Sequence, residues 1–216
     1  MANACGGFCI APESYDVIRG DGTKSIFLDE YSSNQTAYYE YGDLVACHRN
    51  KSMSNEVVRV RKSFKESSIL FQSDHRPAIK AAVEAILTQR SELDRYLRTH
   101  PEFLWALEPV DVEPYAPRIV NIMSHVAKAV GVGPMATVAG ALADIALEAM
   151  LASEASVAII EDGGEIAASS QRAFNIGLYA GKTPLSKLIG FRILPSDCPI
   201  GVATSSASTG HAISFG

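Results

Sequence analysis

Three glycine- or hydroxyl-rich turns in the last third of the chain, residues 133–216, contain the residue types best suited to holding a ligand. The first, Glu161-Asp162-Gly163-Gly164-Glu165, has two consecutive glycines. Glycine adopts positive φ at little cost, so Gly163 and Gly164 can direct backbone N–H groups toward an anion. The same sequence is also typical of a plain β-hairpin turn, which requires no ligand.

The second turn, Ala180-Gly181-Lys182-Thr183-Pro184-Leu185-Ser186, places a lysine and a threonine directly after a glycine. This order is found at the end of a P-loop, but the upstream glycine and the following helix that a P-loop requires are absent. We therefore reject a P-loop. Lys182 remains a candidate for neutralising a ligand phosphate.

The third turn is the hydroxyl-rich stretch at residues 204–211. Five hydroxyl side chains and one glycine occupy the seven positions from Thr204 to Gly210. Hydroxyls donate hydrogen bonds to phosphate oxygens and to the polar edge of a flavin ring. His211 follows, and histidine ordinarily titrates near neutral pH, which suits a general acid or base. A solvated polar loop is the alternative for a stretch of this composition.

The elements that must position these turns follow from the hydrophobic pattern. Stripes of apolar residues at helical spacing, bounded by glycine or proline, predict helices at residues 77–100, 118–130 and 135–152. Ser73 or Asp74 is the predicted N-cap of the first helix. Residues 108–117 contain three prolines and predict an extended connector. Alternating or continuous apolar runs predict strands at residues 25–28, 57–60, 68–72, 156–161, 165–168, 174–179, 188–193 and 201–204. Helices followed by a run of strands favour an α+β layered fold over a doubly wound sheet.

The composition limits the class of protein. A chain of 216 residues with 47% hydrophobic and 20% charged residues is typical of a globular protein with one domain or two small ones. The net charge of −5 argues against a nucleic-acid partner. The densest basic stretch, residues 59–65, alternates with apolar residues and indicates the solvated face of a strand.

The cysteines and the termini carry weaker signals. Zinc is commonly held by four ligands, and Cys5, Cys9, Cys47 and His48 would supply that number. Their spacing along the chain disfavours binding of one shared ion, so we predict no metal site. No basic and apolar leader is visible, and the longest uncharged run, residues 129–143, is too short to cross a membrane. We expect a cytoplasmic protein without a membrane span.

An ordered set of motifs adds a family resemblance. Gly133-Pro134-Met135 precedes a small-residue helix, Glu161-Asp162-Gly163-Gly164 follows a strand, and Gly201-Val202-Ala203-Thr204-Ser205-Ser206 is followed by Gly210-His211. In this order the motifs resemble the ApbE-like superfamily, named for the FAD:protein FMN transferases, from about Ser68 to Gly216. The resemblance predicts an ApbE-like domain at residues 57–216, preceded by a segment of uncertain structure at residues 1–56.

The resemblance implies a site for FAD or FMN, or a related phosphorylated ligand. It places Gly140 and Asp144 on a helix beside the flavin, and Gly163 and Gly164 near the cofactor. The candidate catalytic residues are His211 and Asp162. The candidate ligand-binding residues are Gly140, Asp144, Gly163, Gly164, Lys182, Thr204, Ser205, Ser206, Thr209 and Gly210.

The sequence departs from the transferase pattern at several positions. Ala139 stands where the transferases carry a lysine before Gly140, Ser206 replaces a glycine, and the aspartate after His211 is missing. The segment that supplies the magnesium ligands in the transferases would follow Gly216, so we expect magnesium only if that segment exists. Two functions therefore remain open: an FMN transferase, and a non-catalytic ligand-binding or assembly module. A monomer and a homodimer are both compatible with the sequence.

Overall fold

The computed structural model describes residues 7–11, 17–18, 26–28, 56–64, 67–179 and 189–204, with the first three ranges contributing strand backbone. The strands in this part of the chain are β1 (Gly7–Ala11), β2 (Val17–Ile18), β3 (Ile26–Leu28), β4 (Val58–Phe64), β5 (Ser67–Ser73), β6 (Val157–Asp162), β7 (Glu165–Ser170), β8 (Phe174–Tyr179), β9 (Ile189–Ile193) and β10 (Ile200–Val202). The helices are α1 (Arg76–Thr99), α2 (Glu102–Trp105), α3 (Arg118–Val130) and α4 (Val138–Ala152), with 3-10 turns at Pro134–Thr137 and Pro195–Asp197.

The strands form two five-stranded sheets in which neighbours pair antiparallel. Sheet A has the order β1-β8-β9-β3-β2, and sheet B has the order β10-β7-β6-β5-β4. The predicted α+β fold with helices on antiparallel strands is confirmed. The boundary predicted between residues 56 and 57 stays a prediction.

Sheet B lies between two apolar layers because its central strands are apolar on both faces. Ile160 on β6 and Ala167 on β7 belong to the larger core cluster, together with buried residues of α1, α3 and α4. Their neighbours Ile159 and Ile166 belong to a second cluster with residues of β8 and β9 in sheet A. Since successive side chains of a strand point to opposite faces, the helices cover one face of sheet B and sheet A covers the other.

Local residues account for the start of α1 and for the ends of α1 and α3. Pro77 lies in the first turn of α1, and Pro101 follows one residue after its C-cap, His100. Helix α3 ends at Gly131, which takes the left-handed conformation with φ of 72° that closes helix C-termini. The predicted third helix starts later than expected, because residues Pro134–Thr137 form a 3-10 turn before α4.

The predicted N-cap of α1 is wrong. His75 holds the N-cap position and makes no capping hydrogen bond with its side chain. Asp74 instead reaches the start of β6, where its Oδ1 accepts hydrogen bonds from the backbone N–H groups of Ser156 (3.1 Å) and Val157 (2.9 Å), and its Oδ2 accepts one from the Ser156 hydroxyl. This carboxylate therefore fixes the start of a distant strand rather than the start of its own helix.

Residues Pro134–Ala152 are apolar enough to resemble a membrane-spanning segment in length and composition, with a mean hydropathy of 1.6. In the fold, α4 packs on α1, β6 and β7. Buried alanines such as Ala141, Ala143 and Ala146 allow this close approach. Of this apolar window, 39% is buried inside the structure, so burial in the helix layer accounts for part of its composition.

Candidate functional site

A cleft of about 180 Å³ lies where α4 meets the strands β7 and β10 of sheet B. Its lining combines small or aliphatic residues with two carboxylates. The lining residues are Gly140, Ala143, Asp144, Glu165, Ile166, Ala167, Gly201, Val202 and Ala203. The structure thereby brings a predicted helix motif and the end of a predicted strand together at one place.

The helix wall of the cleft contains two of the predicted site residues, Gly140 and Asp144. They are four positions apart on α4 and therefore share one face of the helix. A Cβ atom at Gly140 would have no neighbour within 4 Å, so this glycine leaves open space in the cleft. Partial burial raises the pKa of Asp144, and the negative charge of Glu148 raises it further.

The strand wall begins at the predicted glycine turn. Gly163 and Gly164 have φ of 63° and 110°, as a two-residue type I′ hairpin turn requires, and they join β6 to β7. Because the turn is this short, Asp162 and Glu165 are direct partners across the hairpin. The glycines themselves do not line the cleft, and their role in anion binding stays a prediction.

Glu165 is the first residue after this turn and its side chain lines the cleft. Burial raises its pKa to about 7, a hydrogen bond from its own backbone opposes that shift, and the negative charge of Asp162 adds to it. The neutral form of the Glu165 carboxyl is therefore accessible near neutral pH, and in this form it can donate a hydrogen bond.

Asp162, a predicted catalytic residue, is only 4% exposed and does not line the cleft. It lies on the helix-facing side of β6, because Ala158 and Ile160 at the alternate positions of the strand belong to the helix-side core. Its negative charge adds to the effect of burial, which is the main cause of the raised pKa of Glu165. A catalytic role for Asp162 itself stays a prediction.

The third wall is β10, whose Gly201, Val202 and the following Ala203 line the cleft. Thr204 comes directly after Ala203, so the predicted hydroxyl-rich stretch begins at the cleft. The remaining predicted residues lie outside the described part of the chain: Lys182, Ser205, Ser206, Thr209, Gly210 and His211.

Glu165 is the site residue that the sequence interpretation missed. The available signal was an acidic residue directly after a double-glycine turn, since a hairpin pairs that position with the acid preceding the turn. The burial of Glu165 could not be predicted from the sequence, because it depends on packing against α4, which is distant along the chain. Within the described residues, no three His, Cys, Asp or Glu side chains lie close enough together to hold a metal ion.

Comparison with known proteins places the chain among relatives from methanogenic archaea. A UPF0280 protein from Methanosphaerula palustris is 38% identical over 160 residues, which cover 74% of this chain and 67% of the relative. A UPF0280 protein from Methanocaldococcus jannaschii is 42% identical over 154 residues, covering 70% of this chain and 62% of the relative. The chain thus spans about two thirds or less of the length of these curated relatives.

A family profile also matches the part of the chain that forms the cleft. The profile of the family described as AbpE bacteria matches residues 50–216, which include α4, β7 and β10. The chain therefore belongs to this family.

Proposed function

We propose that the cleft between α4, β7 and β10 binds a flavin or a related phosphorylated ligand. The observation that supports this proposal is the open space over Gly140 in a cleft whose third wall leads directly into the hydroxyl-rich stretch at residues 204–209. Small and aliphatic residues form most of the lining, as is typical of sites for planar organic ligands.

The size and charge of the cleft define which end of the ligand it takes. Its volume of about 180 Å³ is below the roughly 300–1,000 Å³ of sites that enclose whole drug-sized ligands, so it holds one end only. The carboxylates of Asp144 and Glu165 would repel a phosphate when ionised. The flat ring therefore enters the cleft, and the phosphate extends toward Thr204 and the hydroxyls that follow.

The neutral form of Glu165 suits this orientation. A flavin ring presents carbonyl oxygens and ring nitrogens at its polar edge, and a neutral carboxyl can both donate and accept hydrogen bonds there. Thr204, the first hydroxyl residue of the stretch, comes directly after Ala203 in the wall of the cleft. We propose that this stretch supplies the hydrogen bonds to the part of the ligand that projects from the cleft.

A titration of the purified protein with FMN and with FAD, followed by quenching of flavin fluorescence, tests this proposal. We expect saturable binding that Gly140→Leu abolishes, because the leucine side chain would occupy the space over Gly140. Ala152→Leu is the matched control, since Ala152 is the exposed last residue of the same helix. An absence of flavin binding, or equal binding by Gly140→Leu and the unchanged protein, would contradict the proposal.

Binding without catalysis is the second candidate function, favoured by Ala139 at the position where the transferases carry a lysine. In the transfer reaction, an acceptor hydroxyl attacks the FAD pyrophosphate, the FMN phosphate forms the new ester bond, and AMP leaves. Release of AMP from FAD in the presence of magnesium distinguishes the two candidates. AMP release that is lost in His211→Ala supports transfer, whereas flavin binding without AMP release supports a binding or assembly module.

A further inference from the structure

A second group of polar residues lies on the other face of sheet B, at the strands farthest from the cleft. On β4, Val58 and Val60 pack against the helix-side core, so the alternate residues Arg59 and Arg61 lie on the opposite face. On β5, Ile69 and Phe71 belong to the same core. Gln72 therefore shares the face of the two arginines.

The strand register brings these side chains together. Arg59 is the direct partner of Gln72 across the β4–β5 ladder, and such partners have Cβ atoms about 4.5–5.5 Å apart. Arg61 is the partner of Leu70, and Leu70 is in turn the partner of Glu161 on β6. The row thus contains two guanidinium groups, one amide and one carboxylate.

The hydrogen-bonding groups of Arg61 and Glu161 already have partners. Arg61 donates from Nη1 to the backbone oxygen of Ser68 at 3.0 Å, and its Nη2 lies 3.9 Å from Oε2 of Glu161. Glu161 is well buried, with 12% of its side chain exposed. The oxygens of Asp74, two residues after Gln72, accept hydrogen bonds from Ser156 and Val157.

Gln72 and Arg59 lack an acceptor. Gln72 is 2% exposed, and its Nε2 is buried without a hydrogen-bond partner in the structure. Arg59 is exposed and forms no ion pair or hydrogen bond in the described part of the chain. A guanidinium group only donates, so it cannot satisfy the neighbouring amide N–H groups. Buried donors in proteins are almost always paired, so the Gln72 amide calls for an acceptor. The exposed guanidinium of Arg59 beside it is available to bind an anion from solvent.

We propose that Arg59 and Gln72 form a binding site for a phosphate-type oxyanion, with Arg61 beside it. A tetrahedral oxyanion accepts two parallel hydrogen bonds from a guanidinium and has further oxygens for the Gln72 amide. The exposure of Arg59 gives the anion access from solvent. The site is independent of the proposed flavin cleft, which lies on the opposite face of sheet B at β7 and β10.

Calorimetric titration with inorganic phosphate at constant ionic strength tests the site. We expect saturable binding that Arg59→Ala weakens by about tenfold or more, because a hydrogen bond to a charged group is lost. Lys62→Ala is the matched control: Lys62 is an exposed cation on the same strand, but on its other face. Equal weakening by both variants, or no saturable binding, would overturn the proposal.

Gln72→Leu separates a ligand-binding role from a structural one. Leucine fills a similar volume without the unpartnered donor, so we expect weaker phosphate binding together with unchanged or increased stability toward urea. Loss of stability with full phosphate affinity would refute the assignment. The side-chain amide of Gln72 in the unchanged protein provides a readout that needs no variant, since its NMR signal should shift with added phosphate and not with equal chloride, which cannot accept two parallel hydrogen bonds from a guanidinium. Gly140→Leu should leave phosphate binding intact, because it alters only the cleft.

Discussion

At the scale of single residues, Glu165 shows how burial and a neighbouring charge change the chemistry of an ordinary side chain. Its pKa is raised to about 7 by burial first and by the charge of Asp162 second. In the unfolded chain a glutamate titrates near 4.3. Between these two values the folded protein binds more protons than the unfolded chain, so the contribution of Glu165 to stability falls as the pH rises through this window.

Glu165→Gln should therefore change the pH dependence of stability. Glutamine keeps the shape of the neutral acid and carries no charge at any pH. We expect the stability that the variant gains over the unchanged protein to be larger at pH 8 than at pH 5, because pH 5 lies near the lower end of this window; urea unfolding at both values measures it. A stability difference that is the same at pH 5 and pH 8 would show that Glu165 titrates at its ordinary pKa.

At the scale of secondary-structure elements, the glycines of the helix layer serve two different purposes. Gly131 ends α3 with a positive φ, which an L-residue adopts only with strain. Gly140 lies inside α4 with open space around its Cα, so neither backbone conformation nor packing requires a glycine there. Only the space that it leaves in the cleft explains its presence.

The two glycines should respond to alanine in opposite ways. We expect Gly140→Ala to raise the free energy of unfolding by about 0.5–1 kcal/mol, because alanine restricts the unfolded chain and favours helix. We expect Gly131→Ala to lower it by about 1–2 kcal/mol, because of the left-handed backbone. Thermal or urea unfolding measures both, and a destabilising Gly140→Ala would mean that this glycine has a packing role.

The helices and strands were largely predictable from the sequence, whereas the long-range contacts between them were not. Hydrophobic periodicity located the principal helices, and strand β8 was predicted with its observed bounds. The missed N-cap of α1 has a clear cause: Asp74 bonds to Ser156, which is 82 residues away, and no local pattern reveals such a contact. Leu87 is apolar but 52% exposed, since its neighbour Ile86 occupies the core-facing position of α1.

At the scale of the whole molecule, the layered architecture makes both faces of β6 part of a core. Ile160 contributes to the helix-side cluster and Ile159 to the cluster between the sheets. Adjacent residues on a strand with one solvated face would differ sharply in their contributions to stability. In this structure Ile159 and Ile160 are each at most 2% exposed.

We therefore expect Ile159→Ala and Ile160→Ala to destabilise the protein to a similar extent, by about 2–5 kcal/mol each. Urea unfolding of the two single variants measures these values. A near-neutral Ile159→Ala would show that sheet A does not cover this face of sheet B in solution.

The sequence predicted the fold class and named two of the residues that line the cleft, Gly140 and Asp144. It also predicted the double-glycine turn at which β7 begins, because helix spacing and turn chemistry are local properties. The meeting of Glu165 with Asp144 and Gly140 depends on how α4 crosses sheet B, which is a long-range property. The basic stretch that contains Arg59 was interpreted as the solvated face of a strand, because the burial of Gln72 on the next strand has no local signature.

The position of β10 at the edge of sheet B has a consequence for motion. Three residue pairs with β7 join it to the sheet, and in the described part of the chain it has a neighbour on one side only. Short edge strands open locally at a lower free-energy cost than central strands such as β6. Amide hydrogens of β10 should thus exchange with solvent faster than those of β6, so the wall that leads into the hydroxyl-rich stretch is also the wall best able to adjust to a bound ligand.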